Sequence, residues 1–196
     1  MSLTFAQFSD HTNLRYGISA RADGSMLLPE RSRTQETQKN RDVFFQKQRI
    51  NPASVVSPLL TAGNKVTVVT ETDWGTVVGN VDGLITDRPN VVLTITIADC
   101  LPVFLFDPTK CVLGLIHAGW KGLAANVITA TFDKLEQTFD TNPLDLLVAI
   151  GPSIGPCHYE VGNDIAEKFF QYPKAIQRKE GKVFLDLRCI AVQQCL

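Results

Sequence analysis

Val91–Gly122, VVLTITIADCLPVFLFDPTKCVLGLIHAGWKG, holds three apolar, β-branched runs within a short length of chain. Val91–Ala98, Pro102–Phe106 and Val112–His117 are each of strand length. Asp107–Lys110 supplies a turn between the last two. Upstream, Lys65–Thr70 and Leu84–Thr86 read as further strands, with turn signals at Gly63-Asn64 and Asp87–Asn90. Earlier still, Pro29–Gln48 is polar and charged. From Thr34 it reads as a helix with Val43, Phe44 and Phe45 on its apolar face, ended by Asn51-Pro52. Downstream, Gly122–Phe139 has helical spacing, Leu144–Ile150 reads as a buried strand, and Asp164–Phe170 as a short helix. Asp186–Leu196 begins another helix. Strands arriving in runs, with helices between them irregularly, predict an α+β fold of layered mixed β-sheets with flanking helices rather than a regular βαβ array.

The 196 residues suit a single domain over 1–196, with 44% hydrophobic and 20% charged residues. A net charge of −1 gives no reason to expect nucleic acid or an anionic membrane as partner. Arg31–Arg33 and Arg178-Lys179 are read as solvated loop. The first residues lack the basic stretch and apolar centre of a signal peptide, and the longest apolar runs are far too short to span a bilayer. Five cysteines, an odd number without CxxC spacing, argue against a disulfide framework. Reduced thiols, a cytoplasmic location and a monomer are the expectation.

Two segments carry chemistry: Ala98-Asp-Cys-Leu-Pro-Val103 and His117-Ala-Gly-Trp-Lys-Gly122. Each places a reactive side chain at the end of an apolar run, where sites are commonly built on a rigid scaffold. If the two strands are neighbours, Cys100 and His117 converge. A thiolate and an imidazole are good zinc ligands, and they also make a nucleophile–base pair. Taken singly, each has a plainer reading, Cys100 as a small buried hydrophobe and His117 as a satisfied core histidine. A third segment, Ile150–Gly162, is a Gly- and Pro-rich loop after a strand. Its adjacent Cys157 and His158 are expected to diverge, and His11 to be solvated.

These three segments, in this order, resemble the signature of the laccase-domain (YfiH-like, formerly polyphenol oxidoreductase) family. Weaker likenesses support it: Ser19-Ala20-Arg21 with Asp23-Gly24, Asn40-Arg41, Val81–Thr86 and Asp186-Leu187. The resemblance implies a YfiH-like fold and phosphorolysis of purine nucleosides (adenosine, inosine, guanosine, methylthioadenosine), with adenosine deamination alongside. The implied partners are nucleoside and phosphate, and the implied cofactor is zinc held by His, Cys and His. Cys100 and His117 match the second and third ligands. The first matches Ala62 in Leu60-Thr61-Ala62-Gly63, so the histidine is missing. Zinc is therefore expected to be weak or absent unless Asp82 or a neighbour compensates. Copper is not expected, because three histidines cannot supply a multicopper centre. Arg21 is a candidate catalytic contact and Lys121 a phosphate or ribose contact. Asp82 is a candidate for substrate binding. Asn40-Arg41 is read as helix surface, and Trp120 as pocket wall or core.

The family's later Cys-Thr and Ser-x-Arg-Arg segments have no counterpart before Leu196, so the expectation is either a natural short form or a missing C-terminal portion, with apolar surface of the last helix left uncovered. Both departures predict weak phosphorylase activity. Two other readings stand beside it. One is a cysteine hydrolase or deamidase using Cys100 and His117. The other is a non-catalytic member of a family tied to peptidoglycan quality control.

Overall fold

The computed structural model describes residues 4–28 and 34–196. The Arg31–Arg33 cluster and the start of the Pro29–Gln48 segment lie outside the described residues.

The quoted stretch forms the centre. Strands β6 (Leu101–Asp107) and β7 (Val112–Ala118) are a hairpin, paired antiparallel from Asp107 opposite Val112 to Leu101 opposite Ala118. Asp107 closes the turn by accepting from the N–H groups of Thr109 (2.8 Å) and Lys110 (2.9 Å). Around this hairpin the sheet runs β2-β4-β7-β6-β8, with β2 at Val66–Val68, β4 at Gly83–Thr86 and β8 at Leu147–Ile150. Only the β2–β4 pair is parallel. Strands β1 (Val55–Leu59), β3 (Val77–Gly79) and β5 (Val92–Leu93) make a small parallel sheet with β1 central. A third sheet joins β9 (Glu160–Val161), β10 (Ile176–Lys179) and β11 (Lys182–Leu185), all antiparallel. Mixed sheets with flanking helices agree with the α+β expectation.

The main core lies between the five-stranded sheet and the helices. Ile85, Val103 and Ile116 meet Leu123, Val127, Ile128 and Leu135 there, all nearly or fully inaccessible. The spacing of the last three puts one face of α3 (Val127–Phe139) on the sheet. At the other end, α5 (Leu187–Gln194) begins with Asp186 accepting from the Cys189 N–H at 2.9 Å, and buries Leu187, Ile190 and Ala191. Val192 remains exposed on its outer side.

Several expectations are corrected. Of Val91–Ala98 only Val92–Leu93 pairs as a strand. After Thr94, whose N–H still reaches the Val56 carbonyl, the chain runs extended without ladder partners in the described structure. The helix read over Gly122–Phe139 starts earlier and is two helices, α2 (Trp120–Ala124) and α3, parted at Asn126 in the left-handed region (φ 56°). Asparagine tolerates that conformation, so the break falls there. Leu144 is exposed in a 3-10 turn and β8 starts only at Leu147. The helix at Asp164–Phe170 is a single α turn, α4 (Asn163–Ala166), followed by a 3-10 turn.

The first helix, α1 (Gln35–Lys47), buries Phe45 but leaves Val43 exposed. Its Asn40-Arg41 pair is not helix surface. Arg41 is buried, donating to the Met26 carbonyl (3.1 Å) and Ser57 Oγ (3.2 Å) and stacking over Phe45. Asn40 donates to the Ser25 carbonyl. The pair ties the chain at 25–26 to α1 and β1. No described helix is long and apolar enough to cross a membrane.

Candidate active site

The hairpin brings the two reactive segments to one end. Cys100 directly precedes β6 and is not at a strand's far end as its sequence suggested. His117 is the penultimate residue of β7, and the register continues Leu101–Ala118 toward the pair Cys100 and Gly119. Gly119 is where they meet. A Cβ built on it would lie 2.9 Å from Cys100 Sγ and 3.6 Å from His117 Cε1. Absence of a side chain at 119 is thus what lets the sulfur stand beside the ring. Gly119→Ala should therefore push the thiol away, and its alkylation rate, read on the folded protein by mass spectrometry, should change severalfold. An unchanged rate would show that the glycine is not needed for the thiol's placement.

Beneath His117 lies Asp82, fully inaccessible. Its Oδ1 faces His117 Nδ1 at 3.0 Å and accepts from the Ala62 N–H at 2.8 Å. Its Oδ2 accepts from the Gly63 N–H (2.7 Å), Thr61 Oγ1 (2.9 Å) and the Thr61 N–H (3.3 Å). Asp82 was expected as a substrate contact or substitute ligand. The structure puts it under the site with both oxygens engaged, so it has no face toward a substrate. Ala62, held at a left-handed φ of 56°, lines a cleft of about 640 Å³ together with His117, Leu28, Pro58, Leu60 and Thr96. Position 62 and His117, which the resemblance would make the first and third ligands, therefore share a cavity.

Charge follows from these contacts. Burial alone would lower the His117 pKa, but the hydrogen bond to Asp82 and the neighbouring Cys100 sulfur override it, and it is raised to about 9. Burial would raise Asp82, yet its bonds from His117, Gly63, Thr61 and Ala62 hold it below the usual carboxylate value. Tyr159 is raised by burial and by the nearby negative potential of Cys100 and Asp99. It is a neighbour of the site that the sequence did not single out within the Ile150–Gly162 loop.

Arg21 and Lys121 stand apart from this cleft. Arg21 occupies an exposed 3-10 turn on a larger groove, which it shares with Asp99, Ser153 and Ile154. Lys121 is exposed, with Nζ 5.5 Å from the Trp120 ring centroid. Cys157 and His158 do not diverge: Sγ and Nδ1 are 2.9 Å apart on the surface. All five cysteines are free.

A catalytic zinc centre takes three protein ligands. Among the described residues no three His, Cys, Asp or Glu side chains group to hold a metal ion. Ala62 offers no donor, and the Asp82 oxygens are already engaged. The residues present do not fit the three-ligand zinc that the resemblance implied.

Comparison with known proteins follows the same lines. A Bacteroides thetaiotaomicron protein named purine nucleoside phosphorylase is 40% identical over 113 residues, 55% of this chain and 42% of that protein. A Staphylococcus saprophyticus protein of the same name is 32% identical over 177 residues, 82% of this chain and 66% of that one. The chain thus spans no more than about two thirds of these relatives' length. Among solved structures, the Bacillus licheniformis hypothetical protein YfiH superposes with a TM-score of 0.78 at 32% identity, covering 82% of this chain and 65% of that one. YlmD from Geobacillus stearothermophilus gives 0.74 at 30% identity, covering 81% and 64%. The family model described as multi-copper polyphenol oxidoreductase laccase matches residues 17–196, and the chain belongs to this laccase-domain, YfiH-like family.

Proposed function

We propose that the cleft beside Cys100 and His117 takes a purine nucleoside for phosphorolysis, at a rate reduced by the loss of the first metal ligand. The observation that carries the reading is the cleft shared by Ala62 and His117, in a chain whose relatives are named purine nucleoside phosphorylases. Phosphorolysis needs phosphate on one face of the ribose and a way to ease the base out. Lys121 and Arg21, exposed outside the cleft, are proposed to draw phosphate toward it, and adenosine deamination is proposed as a side activity. A zinc ion would need three protein ligands to supply Lewis acidity and an acidified water. This chain offers two of its ligands, so zinc is proposed to be weak. Free thiols fit work in the cytoplasm, and the chain is taken to act as a monomer.

The test is purine release from inosine, adenosine and methylthioadenosine with phosphate, with and without added zinc, beside Cys100→Ala. The expected result is release on the order of 100-fold or more slower than in a relative with all three ligands, since each 1.36 kcal/mol of lost barrier stabilisation is tenfold. Cys100→Ala should remove what remains. Release as fast as in a three-ligand relative would overturn the expectation of weakness. Total absence of release from folded, zinc-supplemented protein would overturn phosphorolysis itself.

A second reading has its own observation. Cys100 stands beside His117, and Asp82 backs the ring from the other side, the order of nucleophile, base and orienting acid in cysteine hydrolases. Rapid alkylation of Cys100 at neutral pH, slowed in His117→Gln, would favour a hydrolase or deamidase. A thiol inert in both proteins would count against it.

A further inference from the structure

We infer that Asp82 is the positioning residue of this site: one buried carboxylate fixes which nitrogen of His117 faces the cleft, and it holds the Thr61–Gly63 loop against that ring. The role rests on the cleft lined by Ala62 and His117 being the site, and not on which substrate the cleft takes.

The argument starts from the backbone. The antiparallel pairing of β4 with β7 sets Gly83 opposite Ile116, which places Asp82 opposite His117. The His117 N–H donates to the Asp82 carbonyl at 2.8 Å, and the Asp82 N–H to the Lys65 carbonyl at 2.9 Å. Carboxylate and imidazole are therefore fixed by the main chain before their side chains meet. Five donors then converge on two oxygens: the N–H groups of Thr61, Ala62 and Gly63, the Thr61 hydroxyl, and His117 Nδ1.

An ionised carboxylate only accepts hydrogen bonds. His117 Nδ1 must then carry a proton to bond Oδ1, and Nε2 is the nitrogen left for Cys100 and the cleft. Such a partner on the far ring nitrogen is how proteins set the tautomer and aim of a working histidine. The same oxygens clasp three successive residues of the loop, including Ala62, whose left-handed backbone would otherwise be unfavourable for alanine. Loop and ring are registered to each other through a single group, with no metal needed between them.

The substitution Asp82→Asn separates this role from simple anchoring, because a side-chain amide cannot serve both halves. With its NH2 toward Thr61 and Gly63 it meets donors and frees the loop. With its NH2 toward His117 it donates to Nδ1 and drives the ring proton to Nε2. Imidazole ¹⁵N spectra of the full chain, taken from about pH 7 to about pH 10, report the protonation of each nitrogen. The expected result is a neutral His117 ring that carries its proton on Nδ1, facing Asp82. In Asp82→Asn the proton moves to Nε2, or the Thr61–Gly63 amides lose their slow hydrogen exchange. Any turnover the wild type shows should fall about 10–100-fold in kcat, the range for lost partners of working histidines. A wild-type neutral ring protonated on Nε2 would overturn the inference, and so would an Asp82→Asn protein with ring and loop both unchanged. If that variant does not fold, the wild-type spectrum alone decides. These spectra do not depend on activity, so a correct ring state in an inactive protein would count against the proposed reaction and leave Asp82 in its role.

Discussion

Replacing Ala62 by histidine should raise zinc affinity by on the order of a hundredfold. Four-ligand structural zinc sites bind with about 10–16 kcal/mol, or ~3 kcal/mol for each ligand, and 1.4 kcal/mol is a factor of ten. Geometry favours the gain. Position 62 shares a cleft with His117, and its main chain is already held by Asp82 through the Ala62 N–H. The φ of 56° suits histidine better than alanine, since histidine is among the residues enriched in the left-handed region. The substitution should therefore cost little stability. Titration calorimetry with zinc on Ala62→His and the parent chain is the measurement, with Ala62→His/Cys100→Ala as control. Equal affinity in parent and variant would show that position 62 does not face the metal position.

Stability should fall by about 3 kcal/mol between pH 6.5 and pH 9 in the presence of a chelator. His117 is raised in the fold from 6.5 to about 9. A raised pKa contributes stability that is complete below the unfolded value and lost as pH climbs through the folded one. The shift corresponds to about 3 kcal/mol at 1.36 kcal/mol per unit, a large share of a typical 5–15 kcal/mol. Asp82 works with the opposite sign. Its folded value lies below 3.8, so its contribution is present above that pH and lost only in stronger acid. The plateau should therefore lie between these two limits. Cys195, raised by burial to about 11, adds a further loss only above about pH 9. Urea midpoints at pH 6 and pH 9 read the difference, and His117→Gln should flatten it. Equal midpoints at the two pH values, or an undiminished fall in His117→Gln, would contradict the assignment.

The hairpin that follows Cys100 and ends beside His117 was legible because β6 and β7 are apolar runs of strand length joined by Asp-Pro turn chemistry. Their neighbourhood implied that Cys100 and His117 could meet. What escaped was set by partners far along the chain. β1 was overlooked because Pro58 interrupts it, and β10–β11 because Gln177, Arg178 and Lys179 make a polar strand with a largely exposed face. Asp82 looked like a substrate contact because its charge is visible in sequence, whereas the five donors that bury it come from two other segments. Arg41 was misread for the same reason: a charged residue on a polar helix looks exposed until Met26 and Ser57 are placed beside it.

The interruption at Asn126 has a consequence for how distant parts of the chain constrain one another. Because α2 is a separate short helix, it is secured from outside: Asn64 Nδ2 donates to the Ala125 carbonyl, and Gln194 Nε2 donates to the Leu123 carbonyl and reaches Asn126 Oδ1. The segment directly after His117 is thus moored at once to the loop region near Ala62 and to the last turn of α5. A mutation at Gln194, remote in sequence and absent from the lining of the Ala62–His117 cleft, would slacken one of those moorings. Drift in the C-terminal helix and drift in the residues around His117 are accordingly not independent, and variation at one should be accompanied by adjustment at the other.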